Sequence, residues 1–78
     1  MNELGPLMDD LVNAALWRYC EFQIGMIYND NDQAVYEGTV SGERGLNNSW
    51  VNANLFDLVT EMIHWLRTAK EKPFPEKM

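Results

Sequence analysis

Apolar residues recur along the chain with two different periods. Leu4, Leu7, Met8, Leu11 and Ala15 are spaced by three and four, which predicts a helix with one apolar stripe over residues 3–15. Pro6 falls in its first turn, where a missing N–H is harmless, and Asp9 and Asp10 lie off the stripe. From Leu16 to Tyr28 the period drops to two. Cys20, Phe22, Ile24 and Met26 alternate with Tyr19, Glu21, Gln23 and Gly25, the pattern of a half-buried strand. The turn formers Asn29-Asp30-Asn31-Asp32 follow. Ala34, Tyr36, Gly38 and Val40 then alternate with Val35, Glu37 and Thr39, so the pair reads as an antiparallel hairpin. Residues 41–48 read as a loop, with a short irregular third strand as the alternative, and Asn48 or Ser49 is positioned to cap a helix. Val51, Leu55, Leu58, Val59, Met62 and Leu66 form the stripe of that second helix, over residues 51–68. Phe56 and Ile63 flank the stripe on one side and Trp65 on the other, while Asp57, Thr60, Glu61, His64 and Thr68 occupy the opposite face. Pro73 and Pro75 cannot continue it, so residues 71–78 are expected to form a flexible tail and residues 1–70 a single small domain.

This order, helix-strand-strand-helix, predicts a two-layer α+β domain with both helices on one face of the hairpin. The covered face is expected to carry Cys20, Phe22, Ile24, Met26, Tyr36 and Val40. The outer face should show Tyr19, Glu21, Gln23, Ile27, Val35, Glu37 and Thr39. A lone hairpin is marginal in water and its open edges invite pairing. The sheet is therefore expected to be extended, either by a third strand from residues 41–50 or by a second chain.

Charge sharpens the picture. The formal net charge is −6, and within residues 1–66 ten acidic side chains face only Arg18 and Arg44. The four other basic residues lie in the last twelve positions. An acidic body repels nucleic-acid phosphates and anionic lipids and attracts basic surfaces. Neither a secretory signal nor an apolar run long enough to cross a membrane is visible, which points to a cytosolic protein. One cysteine excludes an internal disulfide, and one cysteine with one histidine disfavours structural zinc.

Candidate chemistry is thin. Glu61 and His64 sit three apart on a helix, the spacing of carboxylate-bridged di-metal sites, but those sites need further pairs that this chain lacks. Asp30 and Asp32 open like a calcium loop, yet the positions that demand glycine and a bidentate glutamate hold Val35 and Ser41. Gly42-Glu43-Arg44-Gly45 does not open a helix, and Glu43 opposes phosphate. Cys20, on the apolar face, reads as packing and not as a nucleophile. No catalytic, cofactor or metal residue is therefore assigned, and no cofactor is expected.

What remains is surface. Trp17 and Tyr19 fall near the sheet's outer face and Trp50 borders the Asn-rich loop, and tryptophan and tyrosine are enriched among binding hot spots. Stacking of nucleic-acid bases needs a basic groove, which the acidic body denies. The expected function is a non-enzymatic acidic module that engages and blocks a basic, nucleic-acid-handling protein. Its contacts are Tyr19, Glu21 and Glu37 on the exposed hairpin face, Asp30 and Asp32 in the turn, and Arg44 in the loop. The alternative is a structural or regulatory homodimer assembled through strand pairing. Size, acidity and α+β order are loosely similar to phage-encoded inhibitors of host defence, the anti-restriction and anti-CRISPR proteins. That similarity covers no alignable residues. Acids recur on every element, and gathered on one surface they would imitate a row of phosphates and occupy a nucleic-acid site on another protein.

Overall fold

The computed structural model describes residues 4–70; the expected tail at 71–78 lies outside the described residues. Helix α1 (Leu4–Trp17) leads into strands β1 (Glu21–Tyr28), β2 (Ala34–Ser41) and β3 (Asn47–Asn52), and helix α2 (Leu55–Thr68) closes the chain. The strands form one antiparallel sheet in the order β1-β2-β3. Glu21 pairs with Ser41 and Tyr28 with Ala34, so the hairpin register runs unbroken through eight residues of each strand. Tyr36 pairs with Asn52 and Ser41 with Asn47 across the second ladder. The sheet is thus extended within the chain, by a third strand in the segment expected to supply one.

Both helices pack on one face of this sheet. Leu11 and Ala15 of α1 meet Leu58, Val59, Met62, Ile63 and Leu66 of α2 over Val40 and Leu46, with Phe22, Ile24, Tyr36 and Trp50 at the margin. Trp50 and Trp65 meet edge to face, centroids 5.5 Å apart. Gly38 sits where α2 crosses β2. A Cβ there would lie 2.5 Å from Met62 Sδ, so any larger residue would force the buried Met62 side chain to shift.

Two boundaries and one pattern of burial differ from expectation. The alternation that read as strand from Leu16 begins only at Glu21. α1 continues to Trp17 and stops in a Schellman motif: Cys20 N–H donates to Ala15 C=O (2.8 Å) and Tyr19 N–H to Leu16 C=O (3.1 Å). Tyr19 occupies the left-handed position (φ 54°) where glycine is usual. At the other end, Val51 belongs to β3 and not to the second helix. α2 starts after Asn54, whose side chain accepts from Asp57 N–H at 3.0 Å, so neither Asn48 nor Ser49 is the cap. Finally, Met26 has the covered-face parity but is 54% exposed, and Phe56 is 42% exposed, because the helices do not blanket the whole layer.

Arg18 ties the two helix ends together. Its guanidinium donates to Leu66 C=O (2.7 Å) and Ala69 C=O (2.6 Å), satisfying carbonyls that the end of α2 leaves without helical partners.

Candidate interaction surface

Side chains alternate across a strand, so helices on the even-numbered face of β1 and β2 leave the odd-numbered face without a covering element among the described residues. That open face carries Glu21, Gln23, Gly25 and Ile27 on β1, Val35, Glu37, Thr39 and Ser41 on β2, and Asn47, Ser49 and Val51 on β3. Its two ends differ. Toward the β2–β3 turn it is polar, with a shallow depression of about 280 Å³ lined by Glu21, Gln23, Thr39 and Ser41. Toward the hairpin tip, Ile27 lies opposite Val35, with Val51 diagonal to it, an apolar group that leaves Val35 only 6% exposed. Glu37 stands between the two halves, opposite Gly25 and Val51. None of the three strands contains a lysine or arginine.

The residues expected to contact a partner divide into three places. Glu21 and Glu37 share the open face as expected. Tyr19 is not on the sheet: it lies in the turn before β1 and is 91% exposed. Trp17, also read as near the outer sheet face, is the last residue of α1 and is 80% exposed. Arg44 occupies the β2–β3 turn in the left-handed region (φ 59°), at the same end of the sheet as Tyr19 and Glu21. The two segments touch there, since a Cβ on Gly42 would reach Cys20 Sγ at 2.6 Å. Asp30 and Asp32 sit at the opposite tip, about 25 Å away at 3.3 Å per residue along β1. There Asn29 Oδ1 accepts from the N–H groups of Asn31 (2.9 Å) and Gln33 (3.0 Å), which builds the turn from the chain's own side chain. The remaining acids among the described residues occupy the helix layer (Asp9, Asp10, Asp57, Glu61) and the β2–β3 turn (Glu43). The carboxylates of the described residues therefore surround the molecule and do not form one row.

Leu16 and Trp17 rim an open groove of about 600 Å³ between the end of α1 and the end of α2, with Leu66 at its floor and Asp10 and Arg67 at its edges. The sequence pattern missed this feature because it assigned both residues to a strand. The helical spacing from Ala14 through Trp17 was the available signal.

The residues weighed for chemistry are separated. Glu61 accepts from Asn52 Nδ2 at 3.5 Å and so turns toward β3. His64 lines a shallow hollow of about 250 Å³ on the α1 side, with Asp10, Thr60 and Arg67. Cys20 is buried, with its Sγ 3.5 Å from Arg18 C=O. Among the described residues no three histidine, cysteine or carboxylate groups converge for a metal ion. No helix among them is long and apolar enough to cross a membrane. Comparisons with protein-family models, curated proteins and solved structures find no match.

Proposed function

We propose that this protein is a non-enzymatic binding module that lays its open sheet face against a basic surface of another protein. The observation that carries the reading is a three-stranded sheet, uncovered on one side, whose strands hold no cation and whose open face presents Glu21 and Glu37 among neutral acceptors. Lysines and arginines of a partner would meet carboxylates there without like-charge opposition. Asp30, Asp32 and the acids of the helix layer lie too far apart to imitate a ladder of phosphates. They contribute a long-range field that speeds encounter with a positively charged partner. Proteins that handle nucleic acid carry such surfaces, and occupying one would block it. Tyr19 and Arg44, at the polar end of the face, are placed to fix orientation.

The test is capture from a host lysate at low and high salt, repeated with Glu21→Gln/Glu37→Gln and with Asp57→Asn on the helix layer. The expected partner is basic and is released by salt. The double variant binds it about three- to tenfold more weakly, the range for exposed ion pairs lost together, while Asp57→Asn changes affinity little. Salt-independent capture, or equal binding by the double variant, refutes the proposal.

A further inference from the structure

The hairpin's backbone shows which groups of β1 are left over. Asn29 N–H donates to Gln33 C=O at 3.0 Å, so Asn29 and Gln33 are a hydrogen-bonded pair of the antiparallel ladder. Such pairs alternate with non-bonded ones. Gly25 and Ile27 therefore turn their N–H and C=O toward β2, while Phe22, Ile24, Met26 and Tyr28 turn theirs to the open edge. No described residue outside β1 reaches those groups. The edge has none of the usual devices against pairing: its register has no bulge, and it contains neither proline nor lysine, with Glu21 at one end as its only charge. The other edge is different. β3 is six residues long, and its alternation turns the Ser49 N–H outward, where Asn48 Oδ1 accepts it at 2.8 Å.

We infer that β1 pairs with β1 of a second copy of this chain, antiparallel about a twofold axis at Gly25. The symmetry restricts the register. A twofold axis that makes two strands antiparallel stands perpendicular to the sheet, so helix-side residues must oppose helix-side residues. Centring on Gly25 places Phe22 opposite Tyr28 and Ile24 opposite Met26 of the second copy. Every outward group of the strand is then used in about eight hydrogen bonds, within the range of a standard interface. Charge fits the same register. Glu21 faces Asn29 of the second copy, and the two Glu21 side chains lie at opposite ends of the junction. Asp30 and Asp32 of each hairpin come to the end of the other chain that holds Arg18 and Arg44. Met26 and Tyr28, now 54% and 67% exposed, gain cross-strand neighbours. Gly25 has open space around its Cα, so two copies can approach at the axis. The product is a six-stranded sheet with all helices on one side and a doubled open face on the other.

Residue-specific crosslinking reads the register. Opposed Gly25 residues form a non-hydrogen-bonded pair with Cα atoms about 4.5 Å apart, inside disulfide range. Under mild oxidation Gly25→Cys should therefore form a covalent dimer, while Gln23→Cys, about 13 Å from its symmetry mate, should not. Sedimentation should show the native chain dimerising at micromolar concentration. Met26→Pro removes two symmetry-related bonds and leaves the β2 ladder intact, so it should weaken the dimer about ten- to hundredfold. Met26→Lys serves the same purpose if the proline variant loses its circular dichroism. A native chain that stays monomeric, as it would if this edge took a strand of another protein, overturns the inference. So does crosslinking of Gln23→Cys at the rate of Gly25→Cys. Salt distinguishes this failure from failure of the proposed function: screening weakens the basic partner's binding but not an association between two acidic bodies.

Discussion

Replacing Tyr19 by glycine should make this protein more stable and less able to bind. Tyr19 holds φ at 54°, where the Cβ of an L-residue crowds the backbone at a cost of about 1–2 kcal/mol. Its side chain is 91% exposed, so truncation forfeits almost no burial. Glycine returns about 0.4–1 kcal/mol of that gain through the greater freedom of its unfolded chain. The net expectation is about 0.5–1 kcal/mol of added stability, or roughly 2–8 °C in the melting midpoint of a domain this size. Alanine is the control, because it removes the same ring but keeps the Cβ; Tyr19→Ala should melt close to the native chain. Thermal unfolding followed by circular dichroism separates the two. Equal midpoints for glycine and alanine would refute the strain argument, and so would a fall for glycine, which would mean that the ring is anchored. A strained, exposed tyrosine beside Glu21 is more readily understood as a contact than as packing. In the capture experiment both variants should therefore lose affinity alike, although only one gains stability.

Two further substitutions probe how the helix layer is held. Gly38→Ala drives a Cβ to within 2.5 Å of the fully buried Met62 sulfur, so overpacking should cost about 1–3 kcal/mol; in a double-mutant cycle with Met62→Leu, additive losses would show that the two residues do not meet. Arg18→Met keeps the apolar stem but removes both bonds to the end of α2, so chemical denaturation should show a loss of about 2 kcal/mol, and an unchanged midpoint would mean that water replaces the guanidinium.

The alternation on β1 and β2 was legible because one face is buried under helices and the other is open, which imprints period two directly. Phe22, Ile24, Tyr36 and Val40 fall on the covered face for that reason. The start of β1 was not legible. A helix that ends in a Schellman turn is normally marked by glycine at the left-handed position, and here tyrosine stands there, so Trp17 and Tyr19 blended into the following alternation. β3 was visible only as an alternative. Asn47, Asn48, Ser49 and Asn52 favour turns over strands, and the segment is held by the ladder to β2 and by Trp50 packing on Trp65. Val51 deceived for a related reason: its spacing from Leu55 and Leu58 matches a helical stripe, yet the cap at Asn54 excludes it. The acidic character was plain from composition. Its distribution was not, because which carboxylates share a face depends on strand register and on the side the helices take.

An exposed edge on a small domain usually threatens open-ended aggregation, and the arrangement of the two edges argues against that here. Pairing β1 with β1 about a twofold axis consumes both copies of the vulnerable edge and leaves two β3 strands outermost. Those strands are short and rich in asparagine and serine, and the outward Ser49 N–H is already taken by Asn48. A third copy would find fewer free groups and, with every body acidic, growing electrostatic opposition. Assembly on the inferred pairing would therefore close at two. Such closure would also place a Glu21–Glu37 face on each side of the axis, so a basic target long enough to span both would be held bivalently. Its retention would then fall more steeply on disrupting the Gly25 junction than the loss of any single contact allows.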